Sequence, residues 1–481
     1  MKVTVIIRTL GVLFMLFSTT LLPPLAVSLL YADGEATHFS LTFAIAALIG
    51  LLLWWPMRSR ETTIRTRDGF AIVALLWTAM SLLGAVPFML ALDLSFADAV
   101  FESASGYTTT GATVLTGLDE MPKSILLYRQ ELQWLGGIGV VVLSVALLPM
   151  LGIGGMQLYR AEVPGPFKDE RMTPRIARTA RRLSEVYVAF TVVCSLCYWF
   201  AGMDGFDAVA HGMATVATGG YSTHDASIAY FDSPLIEAIA IVFMLLGAIN
   251  FSVHFVAWRT LRLALYGQDT QTRTFLLAAA ALTLIVAAIL YATNEYDDPL
   301  ESLRYAAFQA VSVITTTGFA TANFALWPLA LPVLLIFASF VGGSAGSTSG
   351  GLKVIRVVIL AKQAGVHVRR LIHPRSLTPV RIDGRIVPES IIDGIWGFFA
   401  VYVAVFAVLM VVLMLDGVDQ VTAFGAVSTA LNNLGPGLGG VAITFQGLSD
   451  HATLLMSFAM LLGRLEIFTF LVLLTPAFWR R

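Results

Sequence analysis

Ten apolar runs, each about as long as the 20 residues a helix needs to cross a bilayer, leave this chain little choice of solvent. They cover residues 3–31, 39–56, 70–92, 125–151, 183–202, 234–264, 274–292, 326–364, 389–415 and 452–478. Composition agrees: 57% of residues are hydrophobic, 13% are charged, and mean hydropathy is +0.80. Soluble domains carry nearly twice that charged fraction. The reading is a polytopic membrane protein with no sizeable soluble domain. Residues 3–31, behind Lys2 and Arg8, have the look of a signal peptide but are too long for one, and a second run follows at once.

Four shorter apolar stretches, 95–108, 205–217, 299–315 and 419–431, lie between the long ones and cannot cross. Each ends in a polar turn: YTTTGAT at 107–113, ATGGYS at 217–222, SVITTTGFATAN at 312–323 and NNLGPGL at 432–438. Taking Gly111, Gly219, Gly318 and Gly435 as centres, the spacings are 108, 99 and 117 residues by subtraction. A long, nearly fixed period signals an internally repeated architecture. Like turns meeting on one axis would present a ring of backbone carbonyls, as cation selectivity filters do. Carbonyls that all face one ion need backbone conformations that glycine enters without steric cost, and the branched β-carbon of threonine stiffens its neighbours. The bland alternative is a set of helix C-caps. In the second turn Gly219 and Gly220 are adjacent, so its register is open by one residue.

The predicted fold is all-α, with ten transmembrane helices. Four helix–pore-helix–helix repeats take a pseudo-fourfold arrangement around a central pore. Two helices fill 1–57. The repeats occupy 69–152, 182–266, 273–365 and 388–481, and the third contains an intramembrane loop at 342–351. Non-helical backbone at membrane depth is tolerated where protein buries it or it lines water.

Basic residues concentrate in alternate connections: Arg58, Arg60, Arg65 and Arg67; Arg160, Lys168, Arg171, Arg175, Arg178, Arg181 and Arg182; Arg259, Arg262 and Arg273; Lys353, Arg356, Lys362, Arg369, Arg370, Arg375, Arg381 and Arg385; Arg480 and Arg481. With ten crossings these fall on one face, which the positive-inside rule makes cytoplasmic together with both termini. The opposite face keeps only Lys123, Arg129 and Arg304 as basic residues, and many acids, among them Asp93, Asp98, Asp119, Asp204, Asp207, Asp225, Asp298 and Asp419. These acids read either as a cation funnel or as helix caps and a consequence of topology. The net charge of −1 gives no basis for a nucleic-acid partner.

The repeated TTTG turns, GGSAGSTSGGLKVIR at 342–356 and GRLEIFT at 463–469 together resemble the Trk/Ktr/HKT superfamily of potassium transporters. The two extra N-terminal helices place the chain nearest the TrkH type, the membrane subunit of the bacterial Trk uptake system. The resemblance spans essentially the whole sequence. It implies potassium uptake through a pore within each protomer of a homodimer in the bacterial inner membrane. It also implies a cytosolic, nucleotide-binding regulatory subunit of the TrkA kind. Potassium is then the substrate, and the chain binds no cofactor. Carried over residue by residue, the filter is Thr109, Thr110, Gly111 and Ala112; Ala217, Thr218, Gly219 and Gly220; Thr316, Thr317, Gly318 and Phe319; and Asn433, Leu434, Gly435 and Pro436, acting mainly through backbone carbonyls. The fourth turn has lost every threonine, which fits backbone rather than hydroxyl coordination.

By the same resemblance Gly342, Gly343, Ser344, Gly346, Ser347, Thr348, Gly350 and Gly351 form a gating loop beneath the filter, and Arg464 an electrostatic barrier beside it. The residues alone also allow a passive kink and a structural ion pair. An intramembrane charge is functional by default, and Glu466, two positions on, points to a different face. GGSAG formally matches GxSxG, but no strand precedes it, so a serine hydrolase stays a remote alternative. Sodium- or proton-coupled symport is a nearer one. Asn250, Ser252 and His254 read either as pore-lining or as helix–helix hydrogen-bonding groups. Cys194 and Cys197 read as apolar side chains rather than a redox or zinc pair.

Overall fold

The computed structural model describes residues 3–59, 66–146, 173–375 and 378–479. Arg60, Arg65, Arg160, Lys168, Arg171, Arg480 and Arg481, assigned above to basic connections, lie outside the described residues.

Helices α1 (Val3–Thr19), α2 (Leu22–Tyr31) and α3 (Ala36–Trp54) form the N-terminal group. Pro23 and Pro24 open α2, where a missing N–H costs nothing. α1 and α3 touch backbone to backbone: a Cβ on Gly11 would lie 2.8 Å from the Gly50 carbonyl oxygen, and one on Gly50 would lie 2.8 Å from that of Gly11. Small residues at such crossings replace the hydrophobic driving force that lipid does not supply.

The first repeat is α4 (Thr66–Gly84) with α5 (Val86–Leu92), the short α6 (Phe96–Tyr107) and α7 (Lys123–Ala146). The second is α8 (Thr173–Phe200), short α9 (Gly205–Val216), and α10 (Pro234–Ala248) with α11 (Phe251–Thr260). The third is α12 (Thr270–Ala292), short α13 (Pro299–Ile314), then α14 (Leu331–Val341) and α15 (Val354–Ile372) on either side of the glycine loop. The fourth is α16 (Glu389–Leu415), short α17 (Gln420–Asn432), and α18 (Asp450–Arg464) with α19 (Phe468–Leu474).

Among the described residues, six helical spans are long and apolar enough to cross unaided, and two more are bent pairs. The other two crossings are α7, which keeps Arg129, Gln130, Glu131 and Gln133 in its first turns, and the interrupted α14–loop–α15 segment. The runs 234–264 and 452–478, read above as single straight crossings, turn sharply: α10 meets α11 at 101° and α18 meets α19 at 109°. The first break is capped by Asn250, whose Oδ1 accepts from the Ser252 N–H at 2.8 Å. His254 is buried, bonded to the Leu246 carbonyl and the Tyr266 hydroxyl at 2.9 Å each, so of the two readings the structure favours structural hydrogen bonding. The second break carries positive φ at Glu466 and Ile467. Arg464 therefore ends a helix instead of sitting midway along one. One small departure from all-α is a hairpin, β1 (Arg381–Ile382) with β2 (Arg385–Ile386), closed by Asp383 and Gly384 at positive φ.

Candidate ion-conduction site

The four short helices end alike. Thr110, Gly219, Thr317 and Leu434 each donate a backbone N–H to the carbonyl five residues earlier, at 2.8–3.0 Å, and the residue before each donates three back. This is the Schellman motif, whose C′ position is left-handed and usually glycine. Here it is Thr109 (φ 53°), Thr218 (50°), Thr316 (55°) and Asn433 (54°). A left-handed L-residue costs about 1–2 kcal/mol. Three such threonines and an asparagine at equivalent places are strain that the surroundings hold in place. In the first and third turns the flanking threonine hydroxyls bond each other, Thr108 to Thr110 and Thr315 to Thr317, at 2.7 Å.

Two residues beyond each strained position stands a positive-φ glycine: Gly111, Gly220, Gly318 and Gly435. The centre of the second turn is therefore Gly220, not the Gly219 chosen from sequence spacing. Gly219 takes the place that Thr110, Thr317 and Leu434 take elsewhere.

Steric contacts give the arrangement of the turns. A Cβ on Gly111 would fall 2.0 Å from the carbonyl oxygen of Gly219, one on Gly220 2.0 Å from that of Thr317, and one on Gly318 2.1 Å from that of Leu434. One on Gly435 would fall 2.9 Å from the carbonyl oxygen of Thr110. Turn one leans on two, two on three, three on four, and four on one: a closed ring. All four helices point their C-termini at it, and their partial negative charges favour a cation there. Their outer ends are capped by Ser95, Asp204, Asp298 and Asp419, which accounts for three of the outer-face acids as caps.

Side chains hold the ring from behind. Gln133 donates to the Gly219 carbonyl at 2.6 Å and accepts from the Tyr221 N–H at 3.0 Å. Ser312 donates to the Phe319 carbonyl and Gln309 to that of Ala322, both at 2.6 Å. Arg129 and Glu102 form a buried ion pair with Nε–Oε1 2.7 Å, at 1% and 0% side-chain exposure. Arg129 and Arg304, counted above as basic residues of the outer face, are thus both paired; Arg304 binds Glu237 and Asp232.

Outside the ring is a vestibule of about 370 Å³ lined by all four positive-φ glycines and by His224 and Asp225. His224 bridges Asp119 and Asp207 and stacks on Tyr230, ring centroids 3.4 Å apart. Burial lowers the affinity of this imidazole for a proton, but hydrogen bonds and charge from Asp207 and Asp119 outweigh that, and its pKa is raised. The clasp therefore contributes fully below the unfolded value of about 6.5 and fades as pH climbs through the folded one. His224→Gln is expected to lower the unfolding temperature clearly near pH ~6 and much less near pH ~9. A deficit that does not change with pH removes the charged clasp from the account.

Inside the ring lies the glycine loop. Gly350 N donates to Thr316 Oγ1 at 2.6 Å, and Ser349 and Thr348 meet Thr316 and Thr218 hydroxyl to hydroxyl at 3.2 and 3.1 Å. Thr348 also bonds the Val216 and Gly247 carbonyls. The loop is thus tied directly to the strained residues of turns two and three. Arg464 Nη1 donates to the Thr348 carbonyl at 2.8 Å. Glu466 pairs with Arg356, not with Arg464. Lys353 and Arg356, counted above among the basic residues of the cytoplasmic connections, are buried against the loop: Lys353 donates to the Ser349 carbonyl. Among the described residues the Ser344 hydroxyl is buried without a partner, and His211 and His254 bond elsewhere.

The sequence profile of the TrkH family, described as "Cation transport protein", matches residues 35–481. Curated relatives include the Trk system potassium uptake protein TrkH of Halomonas elongata, 52% identical over all of both chains. The protein of the same name from Escherichia coli is 50% identical over 99% of each. The crystal structure of the potassium transporter TrkH from Vibrio parahaemolyticus superposes over all of both chains with TM-score 0.93 and 46% identity.

Proposed function

Because the chain belongs to the TrkH family of cation transport proteins, we infer that it takes up potassium through a pore along the axis of its four repeats. The four turns are its selectivity filter and the glycine loop with Arg464 its gate. The observation that carries this reading is the closed ring, in which each turn's glycine packs on the next turn's carbonyl at the C-termini of four helices. Potassium ions are the substrate and exchange their water for those carbonyls.

Gly318 tests the filter. Serine there must adopt φ +88° and place its Cβ 2.1 Å from the Leu434 carbonyl, so the ring must open. Gly318→Ser is expected to lower the potassium-to-sodium flux ratio in liposomes about tenfold, the equivalent of 1.4 kcal/mol, with membrane abundance kept. Gly435→Ser, with a looser contact, should lose less. An unchanged ratio for both removes the turns as the filter. The same liposomes, with and without a pH gradient, separate uniport from proton-coupled symport.

The setting we propose is the bacterial inner membrane, both termini cytoplasmic, a homodimer and a nucleotide-binding cytosolic subunit; the "Trk system" in the relatives' names supports an assembly of more than one component. Arg369 and Arg370 end α15, exposed, beside the exposed Arg375, Arg381 and Arg385. With Lys353 and Arg356 withdrawn into the core, this hairpin region is one exposed basic surface for a partner, and Arg181 and Arg182 mark a second. Neutralising Arg369 and Arg370 is expected to weaken capture of the regulatory subunit about fivefold or more at low salt, and less at high salt. Unaltered capture would leave that charge to topology alone.

A further inference from the structure

Three basic side chains converge under the ring, and among the described residues only one has a carboxylate. Arg356 takes Glu466 and stacks on Phe398 at 4.3 Å. Lys353 and Arg464 are left with consecutive loop carbonyls, of Ser349 and Thr348. Arg464 is 6% exposed, and its Nε and Nη2 have no hydrogen-bond partner among the described residues. Uncompensated buried charge is costly.

Both side chains line one cavity of about 50 Å³ with Gly346, Ser347, Ser349 and Gly350 of the loop. Glu466 is the one acidic residue lining it. One water-sized sphere needs about 10–15 Å³ on this measure, so the space admits a small ion together with a few waters. The 19-residue α15 begins here, N-capped by Lys353, and its dipole adds positive potential. Asn433 Oδ1, also in the cavity wall, has no donor among the described residues.

We propose that this cavity is a binding site for a small monovalent anion of the halide class, held by Arg464 Nε and Nη2 and by Lys353. The loop supplies part of the wall, so the site is complete only while the loop lies under the ring. An anion that binds one state stabilises that state. Chloride therefore favours the blocked pore, and this half of the proposal rests on the loop being the gate.

The direct test is diffraction from the full-length protein crystallised in bromide. An anomalous peak beside Arg464 that Lys353→Met weakens is the expected result. A cavity holding only water overturns the proposal. The functional test is potassium flux in phosphatidylethanolamine–phosphatidylglycerol liposomes, with chloride exchanged for methanesulfonate at fixed potassium. Basal flux is expected to rise about fivefold or more without chloride, and Lys353→Met should abolish that difference. A bromide peak with halide-independent flux upholds the site and overturns its link to the loop, which faults the gate and not the anion. Failure to carry potassium in either salt, with the peak present, faults the transport reading alone.

Discussion

Arg129→Met is expected to destabilise the protein by about 3–5 kcal/mol, the cost of breaking a buried ion pair by removing one partner. The loss exceeds one bond. Arg129 Nε binds Glu102, Nη1 the Ser222 carbonyl at 3.1 Å and Nη2 the Thr113 hydroxyl at 3.1 Å. Its guanidinium lies 4.1 Å from the Tyr221 ring centroid. Glu102 in turn accepts from Thr113 Oγ1 and the Val114 N–H. The pair therefore ties the first short helix, the outgoing strand of turn one and that of turn two into one unit. Glu102→Leu with Arg129→Met should recover much of the stability, since a buried pair is often replaceable by apolar packing. It should not recover ion preference, because Thr113 and Ser222 lose their anchor. Thermal unfolding in detergent and potassium-to-sodium flux in liposomes read the two effects separately. A deficit under about 1 kcal/mol for the single change would mean the pair is passive.

Arg129 also shows where sequence reasoning stops. On the chain it is one basic residue near the start of an apolar run, and its partner is 27 positions away. Helical periodicity says which face a residue takes, not which helix lies across from it. The repeats were legible because membrane thickness fixes run length and glycine is needed where φ turns positive. The choice between Gly219 and Gly220 was not, because both residues fit either place. Only the ladder ending at Thr218, two residues past its helix, separates them. The bend after Arg464 was hidden for another reason. The sequence there, Leu465 to Phe468, has no glycine or proline to announce it, and the positive φ values fall on Glu466 and Ile467. Tertiary contacts impose that break: Glu466 is drawn to Arg356 on α15. Likewise Lys353 and Arg356 counted as topological charge until the loop folded back over them.

Shortening the loop within 343–350, or replacing Arg464 by alanine, is expected to raise basal potassium flux about tenfold or more, equivalent to removing 1.4 kcal/mol of barrier. Either change should also loosen dependence on the cytosolic partner. The loop fills the space directly under turns two and three, through Thr348 on Thr218 and Gly350 on Thr316. Arg464 fixes it from the opposite side by its bond to the Thr348 carbonyl, and its guanidinium faces the same cavity. A buried positive charge opposes a cation more strongly than an exposed one. Because Arg464 holds the loop and the loop positions Arg464, the two form one barrier. The double change should give clearly less than the product of the single effects, an interaction of the 0.5–3 kcal/mol order seen for contacting residues. Some stability will be lost with the loop, whose Thr348 hydroxyl also bonds the Val216 and Gly247 carbonyls. Flux must therefore be normalised to folded protein in the membrane. If both single variants lower flux per folded molecule, the loop and Arg464 support the open pore, and the gate lies elsewhere. If the effects multiply without loss, they are separate barriers, and the bond between Arg464 and Thr348 plays no part in closing.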